Sequence, residues 1–206
     1  TYNYNSNITV PSNPTKDGYI FYGWDNTIPN KMPAENLTFK AIWKGVDEIF
    51  MIVNGEIILC NDPNIVYLEI PSCYLVGGVS TPVTRISKSA FANATKLKSV
   101  VIHEGIQEIG DNAFSGCTNL ESVVLPNSLI KIGDYAFQTC SKLEEIVIPK
   151  NVIEIGYALE GCSGLTTITI PFIGKGKEYT SRKVSTIFNG KIPSSLEEII
   201  ITNDEY

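Results

Sequence analysis

The sequence predicts a mainly β chain in two parts: a solenoid of about 23 residues per turn with a parallel β-sheet face, and before it a small N-terminal β module. Three observations predict this. LKSVVIHEGIQEIGDNAFSGC from Leu97 recurs as LESVVLPNSLIKIGDYAFQTC from Leu120 and LEEIVIPKNVIEIGYALEGC from Leu143, with a fourth start at Leu165, so the step is 23, 23 and then 22 residues. Within each unit, apolar residues two apart obey strand alternation. Isoleucine occurs 28 times against two methionines, a β-branched bias that suits sheet rather than a helix bundle.

Residues 1–44 carry no such repeat and read as the β module: Thr9-Val10-Pro11, Gly18 to Phe21, Trp24 and Phe39 to Trp43, separated by Pro- and Asn-rich turns. Lys44-Gly45-Val46-Asp47 reads as a linker, and residues 45–206 as the solenoid domain. FMIVNGEIILC, with Asn54-Gly55 between two apolar runs, is a type I′ hairpin signal and a natural N-terminal cap for an exposed sheet edge. NIVYLEIP (64–71) matches the first strand and VTRISKSAFANA (83–94) the rest of that turn, with about nine extra residues between them.

In the regular turns the inward anchors are expected at Leu97, Val100, Ile102 and their equivalents, and at Ile106 and Ile109, Leu129 and Ile132, Val152 and Ile155. Each second pair ends in Gly110, Gly133 or Gly156, expected to turn the chain through positive φ. Phe114 and Phe137, continued by Leu159, should stack inside the coil. SSLEEIII (194–201) is the sixth strand, and the 31 residues from Leu165 to Leu196 carry an insertion of eight, expected to project as a loop. No comparable cap follows Ile201: either the natural protein continues or the polar tail protects the last strand.

The run IGDNAFSGCTNLESVVLP (109–126) closely resembles the BspA-like leucine-rich repeats of bacterial surface proteins, over roughly residues 49–202. PTKDGYIFYGWDNTIPNKMPAENLTFKAIW (14–43) is similar to the Listeria/Bacteroides repeat, a β-grasp-like module related to internalin B-repeats, here partial because a whole module begins with another strand or two. Both resemblances imply a secreted or cell-surface-attached multidomain protein, with members of known role acting as adhesins or binders of host proteins. Neither family brings a catalytic motif.

Composition excludes other classes. With 16 basic and 22 acidic residues the net charge is −6, which offers no cationic surface for nucleic acid. The longest apolar run, Ile49 to Val53, falls far short of the roughly 20 residues of a spanning helix, so no membrane insertion is expected from it. Thr1 to Val10 has neither a basic nor an apolar stretch of a signal peptide, and without an initiator Met the chain reads as a mature or excised fragment. The single histidine, His103, takes the slot that Pro126, Pro149 and Pro171 hold in other turns, so it reads as a rim residue rather than a general base. No cofactor, metal site or enzymatic activity is expected. Cys117, Cys140 and Cys162 share one repeat position and should form a ladder of buried free thiols, while pairing of Cys60 with Cys73 stays open.

The expected function is non-enzymatic recognition of an extracellular or host protein through outward strand residues. One column, Val101, Val124, Val147, Thr169 and Ile200, is largely apolar, and beside it run the acidic residues Glu121, Glu144 and Glu197, with Glu198 next to the last. An apolar stripe rimmed by charge suits a protein-binding surface, although β propensity alone also favours Val, Thr and Ile there. Lys175, Lys177, Arg182 and Lys183 in the inserted segment form the basic concentration of the chain, either a steering patch for an acidic partner or a solvated loop. Trp24 and Trp43 read as module core or as sugar-stacking rings. The rival readings of the whole are a passive spacer and a targeting module of an extracellular enzyme.

Overall fold

The computed structural model describes residues 5–9, 14, 16, 19–171 and 184–202. Strands β1 (Tyr19–Trp24) and β2 (Ala41–Gly45) pair antiparallel, with a register shift between Phe21 and Gly23. Phe21, which is buried, meets Trp24 and Trp43 edge-on at ring-centre distances of 5.2 and 5.8 Å, so both indoles pack against the module core. Residues 44–47 are not a linker. Lys44 and Gly45 close β2, and a helical turn α1 (Val46–Ile49) buries Val46 and Ile49 before the chain enters β3 (Phe50–Val53). Burial of those two apolar side chains outweighs the turn signal carried by Gly45 and Asp47.

Asp62 fastens the module to the solenoid. It accepts hydrogen bonds from the Lys44 ammonium at 2.7 Å and from the Tyr22 hydroxyl, and the same ammonium sits 3.6 Å above the Tyr22 ring. The Lys44 charge and then the Tyr22 hydroxyl hold the Asp62 carboxyl down at about 2. A carboxyl so depressed stabilises the fold above its unfolded-state value of about 4 and loses that contribution as pH falls toward 2. Thermal unfolding measured across that window should therefore drop more steeply in the native chain than in Asp62→Asn; parallel curves would remove Asp62 from this role.

β3 turns through Asn54 (φ 52°) and Gly55 (φ 77°) into β4 (Glu56–Cys60), the hairpin expected from Asn-Gly. The first coil then runs through β5 (Tyr67–Ile70), the hairpin β6 (Cys73–Val76) and β7 (Val79–Pro82), and β8 (Arg85–Ile86). The extra residues of this coil are thus an antiparallel hairpin turning at Gly77-Gly78, both in the left-handed region. Next come β9 (Ser99–Ile102), β10 (Glu108–Ile109), β11 (Ser122–Val124), β12 (Lys131–Ile132), β13 (Glu145–Val147), β14 (Glu154–Ile155), β15 (Thr167–Pro171), a helical turn α2 (Val184–Ile187) and β16 (Glu198–Thr202).

Parallel strands line the coil on two sides, with the front divided between β11 and β13. The front strands form the ladders β5-β9-β11 and β13-β15-β16. The two-residue strands form the rear sheet β14-β12-β10-β8, and the N-terminal hairpin continues it, with β4 parallel to β8 and β3 at the edge. The hairpin therefore caps by extending the rear sheet. Along its outer side Glu56, Arg85, Glu108, Lys131 and Glu154 stack one per coil with alternating sign, and each neighbouring pair meets within 4.0 Å. The 23-residue step predicts this ladder once charge is read down the columns.

Between the sheets, Ile106, Ile109, Leu129 and Ile132 are fully buried. The phenyl stack is present and longer than expected: Phe91, Phe114 and Phe137 lie parallel at 4.9 and 5.3 Å, and Phe50 of the cap closes on Phe91 edge-on. Leu159 continues the column, and Phe188 takes the same place in the last coil. The Leu159 N–H bonds the carbonyl of Ile187 as Phe137 N–H bonds that of Ala158. The signal was in the sequence, since Ile187-Phe188-Asn189-Gly190 echoes Ala113-Phe114-Ser115-Gly116.

Gly110, Gly133 and Gly156 do not have positive φ. The left-handed residues fall in two other columns: Ser89, Asn112 and Tyr135, and then Asn93, Gly116, Thr139, Gly161 and Gly190. The three glycines are required by close approach instead. A Cβ on Gly110 would lie 2.7 Å from the backbone nitrogen of Lys88, and one on Gly133 would lie 2.6 Å from that of Asp111. The coil that lacks a residue after Gly156 also lacks the left-handed position that Tyr135 fills one turn earlier.

Candidate binding face

The front sheet presents its outer face because strand alternation sends Val100, Ile102, Ile146, Ile148, Ile168 and Ile170 inward, where they are buried. The in-register ladders then set the outward side chains in columns. Val101 lies opposite Val124, and Thr169 lies between Val147 and Ile200. Val124 and Val147 are 52% and 50% exposed and Ile200 is 40% exposed. The column is not uniform, however. Val101 is half-buried and Thr169 is only 9% exposed, contrary to the solvent-facing position expected of it. Thr169 sits on the central strand of its ladder between two larger β-branched side chains, which shield a short one.

The acidic border divides in two. Glu121, Glu144 and Glu197 are exposed at the position before the strand, where Lys98 approaches Glu121 at 3.9 Å. Glu198 lies one residue further on, in the column of Ser99, Ser122, Glu145 and Thr167, and so does not extend the Glu121–Glu144 line. Two residues of the face were not among the expected ones. Tyr67 (51% exposed) and Glu69 continue the two outward columns onto the first strand, opposite Ser99 and Val101. Alternation along NIVYLEIP carried that signal. Lys175, Lys177, Arg182 and Lys183 lie outside the described residues.

His103 is exposed, with Nε2 3.8 Å from Glu69 Oε2. Glu104 accepts the backbone N–H groups of Asn127 and Ser128 from the next coil, which hold its carboxyl below the usual carboxylate range. Cys117, Cys140 and Cys162 are buried free thiols, each donating to a backbone carbonyl of the preceding coil, from Phe91, Phe114 and Phe137 respectively. Burial pushes Cys117 and Cys162 up to about 12 and raises Cys140 as well, so the ladder is protonated and unreactive at neutral pH. Cys60 and Cys73 are also free, the first half-buried and the second exposed, so they form no disulfide. Among the described residues no three His, Cys, Asp or Glu side chains converge to hold a metal ion, and no helix is long and apolar enough to cross a membrane.

Residues 78–179 match the BspA type leucine-rich repeat region in six copies, and residues 1–42 match the Listeria-Bacteroides repeat domain. No curated protein matches the chain. Among solved structures, the pneumococcal vaccine antigen PcpA is similar with a TM-score of 0.55 at 20% identity, over 80% of this chain and 42% of that one. A leucine-rich repeat protein from Bacteroides capillosus gives 0.48 at 21% identity, over 76% of this chain and 100% of that one. The leucine-rich repeat protein of T. pallidum gives 0.43 at 24% identity, over 56% of this chain and 63% of that one. The chain therefore spans less than two thirds of the T. pallidum and pneumococcal proteins. The likeness to the pneumococcal antigen shows a shared fold.

Proposed function

Because its solenoid belongs to the BspA-type leucine-rich repeat family and its first 42 residues to the Listeria-Bacteroides repeat, both typical of cell-surface proteins, we propose that the chain is a protein-binding, adhesive segment of a secreted or surface-attached protein. The partner is an extracellular or host protein, met on the outer face of the front sheet. One observation carries the reading: Val124 and Val147 are half exposed on neighbouring coils, bordered by Glu121 and Glu144. Parallel sheets are ordinarily covered on both faces. An uncovered apolar column, stiff because its side chains are β-branched and each of its strands is paired in a parallel ladder, loses little entropy on docking. The acidic border gives orientation and favours a basic partner surface.

The doubly substituted Val124→Asp, Val147→Asp chain tests this. Both side chains are exposed, so the substitutions leave the interior packing intact, and circular dichroism checks it. Against a panel of extracellular-matrix, serum and mucosal proteins at physiological salt, the native chain should bind saturably and the variant should lose affinity by about tenfold or more, which is ~1.4 kcal/mol. Absence of binding across the panel would return the chain to the spacer reading, and binding that survives in the variant would move the site off this face.

A further inference from the structure

The hairpin inserted in the first coil, β6 with β7, is a sheet of two strands, and among the described residues neither strand pairs with any other. So small a sheet is marginal by itself. Two adjoining hollows of about 400 and 730 Å³ run along β6 and share Tyr19, Val46, Tyr74 and Leu75. Cys73, Tyr74 and Leu75 line the smaller one, and Tyr74, Leu75 and Val76 the larger. Successive residues of a strand send their side chains to opposite faces, so a wall made by three in a row is the edge of the strand. Phe50, Met51 and Ile52 line the larger hollow in the same way, and they belong to β3, the edge strand of the rear sheet. The groove therefore has an unpaired strand edge in each wall.

The phase of the hairpin bonds identifies the groups that face it. Gly77 and Gly78 are both left-handed, as in the type I′ turn that makes Val76 and Val79 a hydrogen-bonded pair. The bond from Val83 N–H to Ser72 O at 2.8 Å keeps that phase at the other end of the hairpin. Cys73 and Leu75, at the pairs between, thus direct N–H and C=O away from β7. In β3 the same alternation, counted from the Asn54-Gly55 turn and from the bond of Asn61 N–H to Ile49 O, turns Ile52 away from β4. Among the described residues no backbone bond from Leu75 or Ile52 N–H crosses the groove. Leu75, Val76 and Met51 are 59%, 52% and 50% exposed. The larger hollow carries the carboxylates of Asp47 and Glu48 and no basic side chain among its described lining.

We propose that this groove takes an extended segment of a partner protein, added as a strand to β6, with apolar residues against Leu75, Val76 and Met51 and a basic residue beside Asp47 and Glu48. Main-chain bonds to the edge supply affinity, and the side chains along it select alternate residues of the segment. The two carboxylates, with no cation beside them, favour Lys or Arg at that end. The site is built from residues 46–52 and 73–76, apart from the outer face of the front sheet, and does not rest on the adhesive role of that face.

The probe is a fluorescent peptide, Lys-Ile-Thr-Val-Thr-Val, titrated into the whole chain at physiological salt and read by polarisation. It should bind saturably. Leu75→Pro removes the outward N–H and leaves the bonds between β6 and β7 in place, so it should weaken binding by about fivefold or more. Leu75→Ala keeps that N–H and should weaken it less, and circular dichroism checks that both variants fold. A peptide methylated at every backbone nitrogen has the same side chains and should not bind, a control that leaves the protein unaltered. Glu in place of the peptide's Lys should weaken binding, and Asp47→Asn should narrow that difference. No saturable binding, equal losses in Leu75→Pro and Leu75→Ala, or binding of the methylated peptide would overturn the proposal. Equal affinity for the Lys and Glu peptides would overturn the preference for a basic segment. A native chain that light scattering finds dimeric, and that Leu75→Pro makes monomeric, would overturn it in favour of a second copy in the groove.

Discussion

Replacing Phe114 by Ala is expected to destabilise the chain by about 3–5 kcal/mol, the cost of an aromatic-sized cavity in a core that cannot collapse around it. Phe114 is fully buried, and its ring is stacked on both faces, against Phe91 at 4.9 Å and Phe137 at 5.3 Å. Relaxation is restricted because the backbone on either side is held by the hydrogen bonds from Phe91 N–H to Ala113 and from Phe114 N–H to Ala136. Phe137, with Leu159 rather than a ring on its far side, should sit at the lower end of that range. Because each coil is stabilised by its neighbours, the loss at Phe114 should also separate the unfolding of the two ends of the solenoid, broadening the urea transition as well as shifting it. An unchanged midpoint would contradict the placement of these rings.

Replacing Gly110 by Ala should destabilise by about 1–3 kcal/mol, as overpacking does. The sign is the informative part. At a position with ordinary φ, Gly→Ala reduces the entropy of the unfolded chain and stabilises by about 0.4–1 kcal/mol. Here the new methyl would meet Lys88 N at 2.7 Å, the Ser87 carbonyl carbon at 2.8 Å and Ile86 O at 2.9 Å, all of them backbone, so the coils must move apart at the rear sheet. Gly133→Ala should behave alike, against Asp111 N at 2.6 Å and the Gly110 carbonyl carbon at 2.8 Å. A rise in the thermal midpoint of either variant would mean that the coils are not in this contact.

These two predictions differ in how far sequence alone supports them. The phenyl stack follows from periodicity: three Ala-Phe pairs spaced 23 residues apart have nowhere to bury their rings except against each other. The glycine column has the same period, but a glycine in a sequence is equally consistent with a left-handed turn and with a crowded one. Only the distance between successive coils separates the two, and here crowding decides while Ser89, Asn112 and Tyr135 carry the positive φ. The linker reading of residues 44–47 failed for a related reason: Gly45 and Asp47 signal a turn locally, and the packing of Val46 and Ile49 that makes them a buried connection is a tertiary fact.

The same division runs through the binding face. Strand alternation places Val124, Val147 and Ile200 outward from sequence, and the parallel ladders set Val124 beside Val101 and Ile200 beside Thr169 as the repeat requires. It does not tell how far each is covered, since exposure depends on the size of the neighbours across the ladder, and so Thr169 was misplaced in solvent.

What the sequence by itself determined is the coil length, the inward anchors and the phenyl and thiol ladders, because a short-range pattern copied every 23 residues leaves each apolar face no partner but its own copy, together with the hairpin that Asn54-Gly55 encodes locally. Tertiary structure decided what does not repeat. The attachment of the N-terminal module through Asp62 and the burial of Val46 and Ile49 in the connection that leads from it each depend on a contact between unlike segments, and no local pattern encodes such a contact.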